Sequence, residues 1–297
     1  MRLKKNKKIK VALIGVVILF VIWMFSSTLI ISRIYNSEME FKKIQMEIPI
    51  ATKPTYFGFD SFELENDIYS TVVISGWVYC ISNAMDSETE ARVVFLSDDS
   101  DYIVKTVKER RMDIMAIFGG TRQDPGVITS FSPLEMKNGE YRVGLIVEEK
   151  GELAGFAFTD YYLIKKNGGI ELRTFTSTLV EGVNVKLSDD NLQHHIDICE
   201  KKDETLIISG WLIPNEGMPG KQKILVEVID EMNHSNIYNT QVISRPDVAE
   251  GFNNDKYSFA GFSAIIPNVE GEISEIRLLC EDLDEDYIAT NFEVVEN

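Results

Sequence analysis

The chain has 297 residues, 44% of them hydrophobic, and domains of about 100 to 150 residues are commonest, so two cores of ordinary size are expected. The formal charge is −17, yet Arg2, Lys4, Lys5, Lys7, Lys8 and Lys10 place six cations before residue 11, which leaves −23 for everything after them. A body of that sign repels phosphate backbones and argues against a nucleic-acid partner, while three dispersed cysteines, Cys80, Cys199 and Cys280, exclude a disulfide scaffold and CxxC metal chemistry.

The first element is apolar. From Val11 to Ser32 run 22 uncharged residues, VALIGVVILFVIWMFSSTLIIS. As a helix rising about 1.5 Å per residue, this run crosses a hydrocarbon core of about 30 Å. The cations before it outnumber those just after it, where Arg33, Glu38, Glu40, Lys42 and Lys43 are mixed, so the positive-inside rule puts residues 1–10 in the cytoplasm. A cleaved signal peptide would have an apolar core of about 7 to 15 residues and a small-x-small cleavage site. Neither occurs here. The expectation is an uncleaved signal anchor over 11–32 with the lipid bilayer as its partner, a juxtamembrane stalk over 33–47, and an extracytoplasmic body on the cell membrane.

That body repeats itself. STVVISGWVYCIS around Trp77 matches ETLIISGWLIPNE around Trp211, and RMDIMAIF from Arg111 matches RPDVAEGF from Arg245. The separation from Trp to Arg is 34 residues both times. Gly126 and Pro133 then answer to Gly261 and Pro267, and FTDYYLIKK to ATNFEVVEN. Four landmarks in one order define copy one at 48–166 and copy two at 180–297, with a linker at 167–179.

Within each copy, β-branched and aromatic runs such as TVVISGW, ARVVFL, YIVKTV, YRVGLIV, ILVEVI and IRLLC alternate with turn clusters such as SDDSD, NGE, NEGMPG and MNHSN. Beyond the anchor no sustained 3.6-residue periodicity appears, and the best helical candidate is a single turn after each arginine. The fold class is therefore all-β: two tandem immunoglobulin-like β-sandwich domains, of roughly seven strands each, after one N-terminal transmembrane helix.

The repeated polar and aromatic residues are the candidate binding residues. Trp77 and Trp211 follow Gly76 and Gly210, where an indole either closes the core between sheets or stacks on a sugar; flanking Ile74, Val78, Ile208 and Leu212 favour the core. Arg111 with Asp113, and Arg245 with Asp247, enter a turn in which the carboxylate caps backbone N–H groups or the arginine clamps carbonyls or that carboxylate. A structural role accounts for their presence in both copies, and a polar rim for a glycan or partner is the functional alternative.

No catalytic or metal constellation stands out. The acidic runs Ser97–Asp101 and Glu281–Tyr287 lack EF-hand spacing and read as solvated loops, and His194, His195 and His234 are a vicinal pair plus one distant residue. The chain has no GxSxG, Walker, HExxH or dinucleotide-binding fingerprint, so no enzyme activity and no cofactor are expected. Among 47 acidic residues, a carboxylate pair suited to glycan hydrolysis is the surviving catalytic alternative.

The order ISGW, RxD, glycine-led strand resembles the β-sandwich accessory domains of bacterial glycosyltransferases and cell-surface polysaccharide biosynthesis proteins. It rests on Gly76, Trp77, Arg111, Asp113 and Gly126, and more fully on Gly210, Trp211, Arg245, Asp247, Gly261 and Phe262; Val127 stands where copy two has Phe262. The resemblance implies a non-catalytic, membrane-anchored accessory or binding protein engaging a cell-envelope glycan or a membrane protein of its assembly machinery. The alternatives are a structural stalk or homo-oligomeric scaffold and, further off, a glycan-modifying hydrolase.

Overall fold

The computed structural model describes residues 2–49, 52–65, 68–82, 84–120, 123–167, 169–187, 192–214, 219–281 and 287–292. The acidic run at 281–287 therefore lies, in its interior, outside the described residues. Helix α1 (Arg2–Glu38) opens the chain. Strands β1 (Lys42–Ile44), β2 (Thr55–Leu64), β3 (Val72–Cys80), β4 (Thr89–Leu96), β5 (Asp101–Lys105) and β6 (Val107–Glu109) lead to the short helix α2 (Met112–Ile117). β7 (Gly126–Phe131), β8 (Gly139–Glu149) and β9 (Glu152–Lys166) follow, then β10 (Gly169–Thr174) and β11 (Val185–Leu187). The remainder is β12 (Gln193–Lys202), β13 (Thr205–Ile213), β14 (Ile224–Asp230), β15 (Ser235–Asn239), β16 (Gln241–Ile243), helix α3 (Pro246–Gly251), β17 (Gly261–Ile266), β18 (Ile273–Glu281) and β19 (Tyr287–Phe292).

The protein is all-β after its single long helix. Four sheets run β2-β3-β7-β6, β1-β5-β4-β8-β9-β10, β12-β13-β17-β16 and β11-β19-β18-β14-β15. Without β1, β10 and β11, the orders 2-3-7-6 and 5-4-8-9 recur as 12-13-17-16 and 15-14-18-19, so each set has eight strands among the described residues, against the roughly seven expected. Neighbouring strands are antiparallel except for β11 beside β19. One core, with Val72, Ile74, Val93, Val127, Tyr141 and Leu163, fills the space between the first two sheets, and a second, with Leu206, Ile208, Val226, Phe262 and Leu278, the space between the others. Each half-apolar sheet buries one face against its mate. Helices α2 and α3 begin just after Arg111 and Arg245, at the single turns the sequence marks.

Among the described residues one helix is long and apolar enough to cross a membrane, with a mean hydropathy of 2.6 in its most apolar window, none of which is buried. Residues 33–47, read from the sequence as a juxtamembrane stalk, make contacts with the first sandwich: Asn36 is 2% exposed, donates from Nδ2 to the Ser132 carbonyl at 2.8 Å and accepts the Ser132 N–H at 2.9 Å. Phe41 stacks on Tyr102 and Phe131 at 5.5 and 5.0 Å, and β1 pairs with β5. The mixed charge of this segment hid its apolar contacts, Met39 and Phe41.

The two halves also grip one another. Phe156 and Phe158 on the outer face of β9 meet Phe259 of copy two, with centroids 5.7 Å apart in both pairs. The Phe158 N–H donates to Ser244 Oγ at 2.9 Å, and Gln241 Nε2 to Asp160 Oδ1 at 2.8 Å. Beads on a string would leave such rings exposed.

Candidate functional site

The repeated residues assemble into one device, present twice. In copy one, Arg111 Nε and Nη2 donate to the two oxygens of Asp113 at 3.0 and 2.8 Å, and Nη1 to Asp60. In copy two, Arg245 Nε and Nη2 reach Asp247 at 2.8 and 2.6 Å, and Nη1 reaches Asp197. The fork-to-carboxylate geometry ties the first turn of the helix to the neighbouring edge strand. Arg111 binds its own carboxylate partner rather than backbone carbonyls, one of the arrangements the RxD spacing allows.

Asp60 and Asp197 are the members that the sequence comparison missed. Both occupy a bulge: the register slips between Phe59 and Ser61, and between Ile196 and Ile198. A bulge turns one extra side chain out of the alternating pattern, here toward the guanidinium. The signal was an Asp after an apolar residue upstream of each ISGW, but it stands 17 residues before Trp77 and 14 before Trp211, so constant-spacing alignment passes over it.

Glycines make the clamp fit. A Cβ on Gly126 would stand 2.8 Å from Arg111 Cγ, and one on Gly261 2.5 Å from Arg245 Cγ, so the arginine stems lie across bare backbone. At Gly76 and Gly210 a Cβ would stand 2.3 Å from the Gly58 carbonyl and 2.1 Å from that of His195. The ISGW glycine thus lets the bulged strand close in.

The tryptophans sit elsewhere than the favoured reading placed them. Along β3 the inward positions are Val72, Ile74, Gly76, Val78 and Cys80, and Trp77 falls on the opposite, outer face, half-buried. Trp211 does the same on β13. Both parities of these strands are apolar, so alternation could not tell the faces apart. Each indole is roofed by the residue that caps the adjoining helix: Trp77 lies 6.0 Å from Phe118, and Trp211 lies 5.7 Å from Phe252. Neither is an open sugar-stacking platform.

Electrostatics follow the pairing. The hydrogen bonds from Arg111 hold the Asp113 carboxyl down at about 2, and Arg245 lowers Asp247 in the same way. Both arginines are correspondingly raised, chiefly by the Asp two residues on. Ions paired in this way are poor acids, bases or free ligands. Among the described residues no three His, Cys, Asp or Glu side chains gather as a metal site. Cys80, Cys199 and Cys280 are thiols, with Cys199 and Cys280 on facing sheets and not joined.

The sequence matches no protein-family model, and no curated protein matches it either.

Proposed function

We propose that this chain is a membrane-anchored, extracytoplasmic, non-catalytic accessory protein that engages a cell-envelope glycan or the membrane-bound machinery assembling it. The observation that supports this reading is the junction between helix and body. Asn36 and Phe41 fix the first sandwich on the end of the apolar helix, so the tandem unit is held at a set height and attitude above a bilayer. Tethering raises the local concentration of even a weak module. The six cations before the span favour a cytoplasmic N-terminus.

The chemistry repeated in the two copies is consumed internally, which suits a scaffold presenting a surface better than a reaction centre. A self-associating stalk is the second reading, favoured by α2, whose Met112 and Ile117 are 62% and 73% exposed. Cross-linking the full-length chain in native membranes separates the two. Recovery of polysaccharide-assembly enzymes is the expected result, and recovery of the chain alone transfers the assignment to the stalk. Protease protection of the C-terminus by intact cells would refute the orientation.

A further inference from the structure

Arg142 on β8 and Arg277 on β18 hold the same place in the two copies, in Glu140-Tyr141-Arg142 and Glu275-Ile276-Arg277. Arg277 is saturated by carboxylates: Nε and Nη2 each lie 2.9 Å from Glu275, and Nη1 lies 3.4 Å from Glu227. Arg142 has lost both. Glu140 turns instead to Arg173 at 2.7 Å. The Arg142 Nε and Nη2 reach the Thr159 carbonyl at 3.4 Å, Nη2 also donates to the Val242 carbonyl, and Cζ stands 4.0 Å above the Phe158 ring. Its Nη1 has no hydrogen-bond partner among the described residues. Asp160 attracts it through space but is itself bonded by Gln241.

A half-buried guanidinium without a bonded carboxylate is costly, and partial desolvation accordingly pulls the Arg142 pKa down. Copy two shows how this fold neutralises that position, so its absence in copy one leaves a place for an anion from outside. That place is a groove. A cavity of about 430 Å³ opens at the junction of the two copies, lined by Arg142, Arg173, Tyr162, Phe175, Thr178 and Asn239 among others. Gln241 also lines it, 4% exposed, with an Oε1 that is buried without a hydrogen-bond partner. The volume falls in the range of small-ligand sites, which favour domain junctions.

The lining sets the chemistry. Arg142 offers a planar fork for a carboxylate or phosphate group. Asn239 Oδ1 is occupied by the Thr178 N–H at 2.6 Å, which leaves its Nδ2 to donate to hydroxyls. Tyr162 and Phe175, 6.3 Å apart, supply half-buried ring surface for the C–H face of a saturated ring. We propose that this junction groove binds an anionic sugar residue, carboxylated or phosphorylated, with the anion on Arg142 and the sugar ring against Tyr162 and Phe175. The inference rests on the glycan side of the function proposed above.

The test is titration of the full-length chain in nanodiscs with tetragalacturonate, glucose 1-phosphate, maltotetraose and inorganic phosphate, read by calorimetry or saturation-transfer NMR. Saturable binding of tetragalacturonate or of glucose 1-phosphate, whichever is tighter naming the anion, is expected. Arg142→Lys and Phe175→Ala should each weaken it at least tenfold, while Arg277→Lys leaves it unchanged. Phe175 lies on the linker outside both cores, so its variant keeps the test usable should the Arg142 variant not fold. Equal binding of maltotetraose or of inorganic phosphate alone overturns the proposal, as does no saturable binding, or binding that both variants leave intact. Assembly enzymes recovered by cross-linking alongside a silent titration would refute this groove and leave the accessory role standing.

Discussion

Gly210→Ala is the sharpest perturbation of the repeated device. The new Cβ would stand 2.1 Å from the His195 carbonyl oxygen and 3.1 Å from Ile196 Cα, both backbone atoms of the bulged strand. No rotamer relieves a backbone contact, so β12 must retreat by about 1 Å and take Asp197 away from Arg245. Overpacking costs about 1–3 kcal/mol, and a weakened charge-assisted bond adds to it, against a gain of about 0.4–1 kcal/mol from stiffening the unfolded chain. The expected net loss is about 2–3 kcal/mol. For a unit of this size that is a fall of roughly 5–10 °C in Tm. Gly251→Ala is the matched control, since its Cβ would meet nothing within 4 Å. Scanning calorimetry of both variants in detergent decides the matter: a Gly210→Ala transition within 1 °C of wild type would refute the claim that the ISGW glycine exists to admit the bulge.

Three further outcomes follow from the same geometry. Arg245→Met, which leaves Asp197 and Asp247 facing one another, should cost about 2–3 kcal/mol in denaturant unfolding, and Arg245→Lys should recover less than half because it lacks the fork. Asp113, held at about 2 in the folded chain against about 3.9 unfolded, contributes stability that is present above pH 4 and lost as pH falls toward 2. The melting temperature should therefore drop over that window, and drop less in Arg111→Met; an equal slope in both would contradict the pairing. Phe259→Ala removes a ring 3% exposed at the junction, and about 3–5 kcal/mol of shared stability with it, so a single calorimetric transition should split into two.

How far the sequence carried depended on what each residue had to repeat. The strands, the turn after each arginine and the apolar helix follow from local pattern, because binary alternation and a long uncharged run have few other solutions. Arg111, Asp113, Arg245 and Asp247 were visible as an i, i+2 pair recurring at constant spacing. Asp60 and Asp197 were not, since the β2–β3 loop is longer than the β12–β13 loop, where Asp203 and Glu204 make the turn. The outer position of Trp77 was also illegible, because its cover, Phe118, belongs to a helix whose packing no one-dimensional pattern encodes. The docking of Asn36 depends on a backbone partner 96 residues away.

The two copies differ where they touch, and those differences bear on whether the unit can polymerise. Copy two covers the outer face of β9 with Val242 and Phe259. At the matching positions copy one carries Lys108, tied to Asp86 at 2.9 Å, and Asp124, so it offers no apolar patch with which to cover another molecule in the same way. Nor does copy two leave its own matching face open: Leu225, Leu279 and Ala289 are packed under Val180, Val183 and Val185 of the connecting segment. A head-to-tail contact extends only if both of its surfaces are free at the ends of the unit. Here one is polar and the other is already covered in cis, so the junction closes after two copies. The tandem body should sediment as a single unit through this interface, and any self-association has to run through another surface, such as the exposed side of α2 with Met112 and Ile117.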